Sequence, residues 1–387
     1  MKNVLILASV SSVIDQFNMD NIQILQNYGL NVHIACNFEI GNTSSKERII
    51  KFKQELNDKN IQFHQIDFDR NIFSGIFSNI KAAKQLQKLV THVNFEFIHC
   101  HTPIGGVCGR LIGHFKKIKT IYTAHGFHFF YGAPLINWLI YYPIEKFLSK
   151  YTEYLIVINE EDYNLAIKRN FKAQNIKLIN GIGINCEKFL PQTKENKMML
   201  RKQYGHTEDD FILIYVAELS KRKHQDLLIE VTSILKDIIP NFKILLVGTG
   251  SFEKKYKEQV NNLALKENVY FLGFRNDIVN LLKVADISVS TSRQEGLPVN
   301  VMEAMATGMP IVVTNCRGNR SLIKDGINGY VVGLDDKKRF SQMINNLYLD
   351  RSLRRKFSET NLNIIKKYSR ENIMKETESI YKELLGI

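Results

Sequence analysis

Long hydrophobic runs and paired cysteines are both missing from this sequence of 387 residues. No stretch approaches the roughly 18 apolar residues of a membrane-spanning helix. The apolar run at residues 4–8 is too short for the core of a signal peptide, and we expect a first buried strand there. The five cysteines are widely spaced and include no C-x-x-C, which disfavours a disulfide framework or a metal centre. Reduced thiols in the cytoplasm fit this pattern best.

Acidic residues are also scarce relative to basic ones, and the formal net charge is +13. Residues 1–190 hold 21 basic and 15 acidic residues, and the remainder holds 31 and 24. Because the excess is spread over both halves, it argues against a nucleic-acid partner. A membrane surface, phosphorylated ligands or an ordinary solvated basic surface all remain open.

Short apolar runs alternate with segments of helical periodicity along the whole chain. This alternation predicts parallel sheets with helical crossovers, and therefore an α/β fold. The predicted strands form two series, at 3–8, 31–36, 95–100, 118–124 and 154–158, and at 211–217, 242–248, 268–273, 286–291 and 310–314. Between the series, residues 190–210 are polar and contain no strand pattern, which indicates a linker and one helix. We expect two Rossmann-like domains, 1–190 and 191–368, facing each other across a cleft.

The stretch "STSRQEGLPVNVMEAMATGMPIVV" carries the most specific signal. A strand at 286–291 is followed by Glu295 in a loop and by a helix that has Pro298 in its first turn and Gly308 after its end. Free N–H groups at the start of a helix suit a phosphate, and the loop after a parallel strand is where such sheets bind ligands. Glu303 lies one to two turns into the helix, so the unit offers a diphosphate cradle flanked by two carboxylates.

Three other motifs are weaker. "GTGS" at 248–251 does not continue as G-x-G-x-x-G, so a dinucleotide fingerprint fails, and Gly248 and Gly250 are expected to permit close approach of a donor. "DFD" at 67–69 resembles a metal-binding D-x-D but lies in the first domain. "HCH" at 99–101 suggests a metal pair without a third ligand, so a packing or acceptor-side role for His101 is favoured.

The segment "SRQEGLPVNVMEAMATGMPIVVT" closely resembles the donor site of family-four retaining glycosyltransferases, which have the GT-B fold. Further segments resemble the capsular and exopolysaccharide branch of the bacterial family, in the same order. They are "HCHTPIGGVCGRL", "IYTAHGFHFFYGAPLINWLIYYPIEK", "ELSKRKHQ" and "FLGFRNDI". The resemblance extends over nearly the whole chain.

The resemblance implies a role for each matching position. Glu295, Gly296 and Leu297 would contact the donor sugar, Glu303 would bind the ribose diol, and Lys223 would contact the diphosphate. His125 would lie near the reaction centre, and Phe274 and Arg275 would hold the nucleobase. The catalytic set is therefore His125, Glu295 and Lys223, and Pro298 belongs to the donor loop.

The sequence departs from the family pattern at two places. Glu218 stands where the family usually has an arginine, and Arg222, Lys221 or Arg293 could supply the missing charge. We favour Arg293 because it adjoins Glu295 in sequence and because arginine suits bidentate phosphate contact. The first loop lacks the family's glycines, but Ser9, Ser11 and Ser12 could bind the acceptor or a phosphate.

The segment 127–151 is rich in aromatic residues and follows a basic cluster at 116–119. Aromatic and basic side chains together are typical of surfaces that rest on anionic lipid, with Phe129 and Phe130 as acceptor-side candidates. A core-facing helix is an equally good interpretation. A membrane surface on the cytoplasmic side would supply a lipid-linked acceptor.

As a whole, the resemblance implies transfer of a sugar from a UDP-sugar, with retention and with no metal or other cofactor. The alternatives are a GT-B sugar-nucleotide epimerase and a non-catalytic scaffold for anionic glycans or lipids. By resemblance, the last helix, 369–387, should cross back to the first domain. The alternative is an ordinary terminal helix on the second domain.

Overall fold

The structure, a computed structural model, describes residues 2–69 and 75–387. It divides into two compact units. Unit 1 comprises Met1–Ile182 with Glu371–Ile387, and unit 2 comprises Gly183–Arg370. The break between the units thus precedes the boundary at residue 190 that the sequence suggested.

The described part of unit 1 contains one parallel sheet of seven strands in the order β3-β2-β1-β4-β5-β6-β7. The strands are β1 (Asn3–Val10), β2 (Asn31–Asn37), β3 (Gln62–Gln65), β4 (Phe95–His101), β5 (Lys119–Ala124), β6 (Tyr154–Val157) and β7 (Asn175–Leu178). The helices are α1 (Ser11–Phe17), α2 (Met19–Asn27), α3 (Lys46–Asp58), α4 (Ile76–His92), α5 (Pro103–Lys116), α6 (Leu135–Ser149) and α7 (Glu160–Lys168).

The described part of unit 2 contains a second parallel sheet, of six strands in the order β10-β9-β8-β11-β12-β13. The strands are β8 (Phe211–Val216), β9 (Phe242–Val247), β10 (Val269–Gly273), β11 (Ile287–Ser290), β12 (Ile311–Thr314) and β13 (Tyr330–Val332). The helices are α8 (Lys194–Gln203), α9 (Gln225–Leu235), α10 (Glu253–Asn262), α11 (Ile278–Val284), α12 (Val299–Ala306), α13 (Arg317–Leu322), α14 (Lys337–Leu349) and α15 (Arg351–Ile364), followed by a 3-10 turn at Ile365–Tyr368.

The predicted strands are all present, and the strands that the sequence did not indicate lie at sheet edges. β3, β7 and β13 are edge strands, and their side chains are mostly half-buried. A central strand such as β1 is buried along nearly its whole length and therefore reads as a continuous apolar run. The short edge strands lack that run, because one side of each has no partner strand.

Helix α16 (Arg370–Leu385) ends the chain and packs into the core of unit 1. Its buried side chains recur at helical spacing, at Ile373, Thr377, Ile380, Tyr381 and Leu384. The chain therefore leaves unit 1 after β7 and returns to it only in this helix.

Candidate active site

Two loops of unit 2 meet at the point where the strand order reverses. The sheet grows outward from β8 in both directions, and β8 lies between β9 and β11. Ligands of open α/β sheets bind at such a point, beyond the carboxyl ends of the strands. The loop after β8 carries Arg222 and Lys223, and the loop after β11 carries Glu295.

Buried hydroxyl groups lock these two loops together. The Lys223 carbonyl accepts a hydrogen bond from the Tyr215 hydroxyl at 3.0 Å and another from Thr291 Oγ1 at 3.1 Å. The Arg293 backbone N–H donates to the Arg222 carbonyl at 2.9 Å. The position of Lys223 relative to the second loop is therefore fixed by the backbone.

Lys223 and Arg222 converge on the Glu295 carboxylate. Lys223 Nζ lies 2.6 Å from Glu295 Oε1, and Arg222 Nη1 lies 3.3 Å from Oε2. The Lys223 and Glu295 side chains are only 12% and 8% exposed. Burial opposes ionisation of Glu295, but the charges of Lys223 and Arg222 outweigh it and hold the pKa of this carboxyl below its usual value. The result is a buried, charged cluster at the ligand-binding edge of the sheet.

The Arg293 side chain binds groups other than Glu295, although its closeness to Glu295 in sequence was the reason for favouring it. Its guanidinium lies 2.7 Å from Asp335 Oδ1 and 3.0 Å from His224 Nε2. Arg222 is the guanidinium that contacts Glu295, while Glu218, at the position of the family's arginine, is exposed. Arg222 therefore has the better geometry to supply the missing charge.

Helix α12 follows the Glu295 loop and carries one partly buried carboxylate, that of Glu303. No described residue accepts a hydrogen bond from the backbone N–H groups of Val299 or Asn300. Within the described chain, the Glu303 carboxylate likewise has no hydrogen-bond donor, and the only charge that acts on it is Lys188. Burial raises the pKa of Glu303 to about 7, although Lys188 acts in the opposite direction.

Gly248 and Gly250 allow two loops to pack closely, and the expected approach of a donor beside them remains a prediction. A Cβ on Gly248 would collide with the Ala217 carbonyl, and one on Gly250 would collide with the Leu219 backbone. The loops after β8 and β9 can therefore hydrogen-bond closely, as in the 3.0 Å bond from the Leu219 N–H to the Thr249 carbonyl.

Helix α13 contributes residues that the sequence did not single out. Arg317 is 2% exposed, and its Nε donates to the Glu295 carbonyl at 3.2 Å. Gly318 packs so closely on Gly296 that a Cβ would lie 2.7 Å from the Gly296 carbonyl oxygen. Both residues hold the donor loop from behind, and no family motif identified them.

Three histidines of unit 1 line a small cavity at the carboxyl ends of β4 and β5. His101 Nδ1 lies 3.1 Å from His125 Nε2, and His99 is bonded to Tyr381 at 2.7 Å and to Thr123 at 2.8 Å. Burial lowers the pKa of His99 to about 3 and that of His125 to about 4, and it lowers the pKa of His101 well below its usual value. All three imidazoles are therefore neutral at pH 7. The cavity measures 40 Å³, which is enough to hold water.

Comparison with known proteins identifies the family. The family model described as Glycosyl transferases group 1 matches residues 196–363, and one described as Glycosyl transferase 4-like matches residues 3–159. EpsD of Bacillus subtilis (strain 168), a protein named as a glycosyltransferase, is 37% identical over 100% of this chain and 98% of its own length. The chain belongs to the family-four glycosyltransferases.

Two further similarities are more distant. A UDP-Gal:alpha-D-GlcNAc-diphosphoundecaprenol alpha-1,3-galactosyltransferase of Escherichia coli is 28% identical over 86% of this chain and 84% of its own length. The crystal structure of Anabaena HepE in complex with UDP-glucose covers 99% of this chain and 100% of its own, with a TM-score of 0.77 and 19% identity. The glycosyltransferase therefore has the expected GT-B fold, with its two parallel sheets.

Four further candidate residues of this glycosyltransferase lie in unit 2. Phe274 is 75% exposed in the loop after β10, and Arg275 is bound to Asp277. Leu297, within the donor loop, is buried, and Pro298 immediately precedes α12. The roles given to these residues remain predictions.

The three serines of the first loop are already engaged within unit 1. Ser9 is hydrogen-bonded to Thr102, and the Ser11 hydroxyl and the Ser12 N–H both donate to Asn42 Oδ1 at 2.9 Å. All three are buried. The hydroxyls therefore brace the loop, which leaves little of them for an acceptor.

The aromatic segment of the glycosyltransferase divides between the core and the surface. Phe127 and Phe129 are 2% and 0% exposed, and Trp138 packs against the same core cluster. Phe129 is therefore wrong as an acceptor-side or lipid-facing residue, because it is a core side chain. Phe130 is only partly buried.

The residues 2–69 and 75–387 contain no group of three or more His, Cys, Asp or Glu side chains placed to hold a metal ion. Asp67 of the D-x-D pattern is bound to Lys81 at 2.7 Å. That the reaction needs no metal remains a prediction. No described helix is both long and apolar enough to cross a bilayer.

Proposed function

We propose that this glycosyltransferase moves a sugar from a UDP-sugar to a lipid-linked saccharide, with retention at the anomeric carbon and without a metal. The product would be part of a bacterial surface polysaccharide such as a capsule or exopolysaccharide. The observation that carries the proposal is the convergence of Lys223 and Arg222 on buried Glu295 at the ligand-binding edge of unit 2.

This cluster has the charges that a nucleotide diphosphate needs. In the structure, the single carboxylate of Glu295 balances only one of the two positive charges of Lys223 and Arg222. A net positive charge therefore remains for the diphosphate. The N–H groups at the start of α12 add further donors. Glu303 lies on the same helix and would accept hydrogen bonds from the ribose hydroxyls. The UDP-glucose bound to HepE, which has the same fold, supports UDP as the nucleotide.

The transfer itself needs little acid–base chemistry from side chains. The bond from the anomeric carbon to the diphosphate oxygen breaks, and a bond to the acceptor oxygen forms on the same face. The acceptor proton passes to the departing diphosphate, which acts as the base. Lys223, Arg222 and the helix amides stabilise the negative charge that develops on the diphosphate, and electrostatic stabilisation of this kind contributes most to many enzymatic rates.

His125 would act as a neutral hydrogen-bonding group near the reacting sugar. Its lowered pKa of about 4 argues against a role as an imidazolium at pH 7. An N–H donor that stays neutral can orient a sugar hydroxyl without adding a charge of its own. We therefore assign it positioning, with Glu295 contacting the sugar hydroxyls.

The lipid-linked acceptor is supported by the Escherichia coli relative, whose name specifies a diphosphoundecaprenol-linked sugar. An acceptor of that kind is confined to a bilayer. We therefore propose that the enzyme is a peripheral protein on the cytoplasmic face of the plasma membrane.

UDP release from a panel of UDP-sugars, measured with and without a membrane-lipid extract, tests this function. Transfer predicts release that depends on both one donor and the extract, and Lys223→Ala should reduce it by at least about 100-fold. Lys266→Ala is the matched control, because Lys266 is an exposed lysine of unit 2 to which no role in the site is assigned. A product with inverted anomeric configuration by NMR would refute retention. Conversion of the nucleotide sugar without any acceptor would favour an epimerase.

A further inference from the structure

A second cavity in unit 2 lies at the opposite edge of the sheet from the Glu295 loop. Ala285 and Asp286, which come just before β11, line it, and so do Met309 and Pro310, just before β12. Glu295 instead follows the carboxyl end of β11. The cavity therefore lies at the amino ends of two neighbouring parallel strands and is separate from the candidate donor site. Its volume of 340 Å³ is within the range of small-molecule sites.

Basic side chains dominate the lining of this cavity. They come from α8, from the end of α11 and from the first two turns of α15, and they are Lys197, Lys283, Arg351, Arg354 and Arg355. Among the described residues that line the cavity, Asp286 is the only acidic one. Its carboxylate is shared between two cations, because its oxygens lie 2.6 Å from Lys197 Nζ and 2.6 Å from Arg201 Nη2. Asp286 therefore balances only a small part of the positive charge.

The remaining carboxylates near the cavity are engaged by other groups. Glu359 is paired with Arg355 at 2.9 Å, and Asp350 caps α15 by accepting from the Leu353 N–H at 2.9 Å. The lining cations that form no ion pair with a carboxylate of the described chain are Lys283, Arg351 and Arg354. With Arg201 included, six basic side chains stand against three carboxylates, so about three positive charges are in excess.

The cations around the cavity repel one another. Burial lowers the pKa of Lys197 and that of Arg354, and neighbouring cations lower both further, although Asp286 acts in the opposite direction. The repelling neighbours include Arg201 for Lys197 and Arg351 for Arg354. An anion in the cavity would relieve this repulsion.

Hydrogen bonds hold the walls of the cavity in place. Lys197 Nζ of α8 donates to the Ala285 carbonyl at 3.0 Å, and Asn361 Nδ2 of α15 donates to the Met309 carbonyl at 2.9 Å. Arg354 Nη1 donates to the Tyr348 carbonyl at 2.8 Å. The two helices are thus fixed to the turns before β11 and β12, which reduces the cost of ordering them when a ligand binds.

The other lining groups suit a sugar better than a nucleobase. The described part of the lining contains no aromatic side chain on which a base could stack. It includes Gln192 and Ser358, whose amide and hydroxyl groups can exchange hydrogen bonds with sugar hydroxyls. Ser358 lies one turn after Arg354 on α15, so a hydroxyl-binding group and a phosphate-binding group are neighbours on one helix.

We propose that this cavity binds a sugar phosphate, with the phosphate held by Lys283, Arg351 and Arg354. Arg351 and Arg354 are three positions apart on α15, so their side chains project from one face of the helix. Guanidinium groups are suited to paired hydrogen bonds with phosphate oxygens. The sugar would contact Gln192 and Ser358. The site does not depend on the proposed function, because none of its residues belongs to the donor site.

Isothermal titration calorimetry with glucose 6-phosphate and the full-length protein tests the site. The wild type should bind one glucose 6-phosphate per chain, more tightly than inorganic phosphate. Lys283→Gln/Arg351→Gln should bind it at least about 100-fold more weakly, at about tenfold or more for each charged hydrogen bond that is lost. Lys254→Gln/Lys266→Gln alters two exposed lysines elsewhere on unit 2, and as the matched control it should bind like the wild type.

Two further variants separate this site from folding effects and from the donor site. Arg351→Glu changes a single exposed side chain and should also lose the binding of glucose 6-phosphate, so it provides the test if the double variant fails to fold. Lys223→Ala should keep the wild-type affinity for glucose 6-phosphate. Conversely, Lys283→Gln/Arg351→Gln should keep the wild-type affinity for UDP-glucose.

Four results would overturn the proposal. They are a wild type that does not bind glucose 6-phosphate, cavity variants that bind it like the control, loss of its binding in Lys223→Ala, or inorganic phosphate bound as tightly as the sugar phosphate. The third result would place the binding at the donor site, and the fourth would leave a site for phosphate alone. A wild type that binds glucose 6-phosphate but no UDP-sugar would refute the proposed function and leave this site intact.

Discussion

Glu303 gives the site a pH dependence that can be calculated. Its carboxylate is partly buried on α12, has no hydrogen-bond donor among the described residues, and has its pKa raised to about 7 by burial. Ribose hydroxyls would hydrogen-bond the ionised form more strongly than the neutral acid. Nucleotide affinity should therefore rise as the pH rises through 7.

The size of the effect follows from the fraction of Glu303 that is ionised. With a pKa of about 7, about a tenth of the carboxyl is ionised at pH 6 and about nine tenths at pH 8. UDP-glucose should bind up to about tenfold more tightly at pH 8 than at pH 6, a difference of about 1.3 kcal/mol. Glu303→Gln should bind with little pH dependence, at about the affinity of the protonated wild type.

Isothermal titration calorimetry at pH 6, 7 and 8 measures this. UDP-glucose is the right ligand, because its diphosphate lacks the terminal phosphate ionisation near pH 6 that UDP would contribute. Glu258→Gln, a substitution on exposed surface of unit 2, is the control and should keep the wild-type slope. A Glu303→Gln protein with the same slope as the wild type would show that another group titrates and that this assignment is wrong.

Further predictions concern folding and its pH dependence. Because the pKa of Glu303 rises on folding, its contribution to stability is present below pH 4.5 and is lost as the pH rises through 7, so Glu303→Gln should melt higher than wild type at pH 8 but not at pH 4. Arg110→Met should lower the free energy of unfolding in urea by about 3–5 kcal/mol, because it leaves the buried Glu145 carboxylate with the Tyr122 hydroxyl but without its cationic partner; a loss below 1 kcal/mol would contradict this. Phe129→Ser should cost about 3–5 kcal/mol in the same assay, whereas exposed Leu139→Ser should change it by less than about 0.5 kcal/mol. Deletion of 369–387 should abolish turnover and destabilise unit 1, although no proposed catalytic residue is removed; normal turnover would refute this.

The fold could be predicted from the sequence because central strands give strong signals. β1 and β8 are buried on both faces and read as apolar runs, while edge strand β3, with the sequence QFHQ, has nothing to distinguish it from a loop. The order of the strands along the chain also did not predict their order within either sheet.

The location of a candidate residue was predictable where it depends on position in a motif and not where it depends on the direction of a side chain. Glu295 and Lys223 follow adjacent strands, so their meeting follows from the topology. Arg293 turns instead to Asp335, 42 positions further along the chain, which no local pattern shows. The prediction that Phe129 lies on the acceptor side was wrong for a related reason, since aromatic content does not reveal which face of a segment is buried.

The hydrogen bond between Tyr381 and His99 has a consequence for how the chain is made. Tyr381 lies in the last helix, and its hydroxyl is hydrogen-bonded to His99, which precedes it by 282 positions in the chain. Domains usually fold in order as they leave the ribosome. Here unit 2 is contiguous and complete in sequence before α16 emerges, whereas unit 1 must wait with Ile373, Ile380 and Tyr381 missing from its core. The domain whose synthesis begins first is therefore finished last, because part of its core follows unit 2 in the chain.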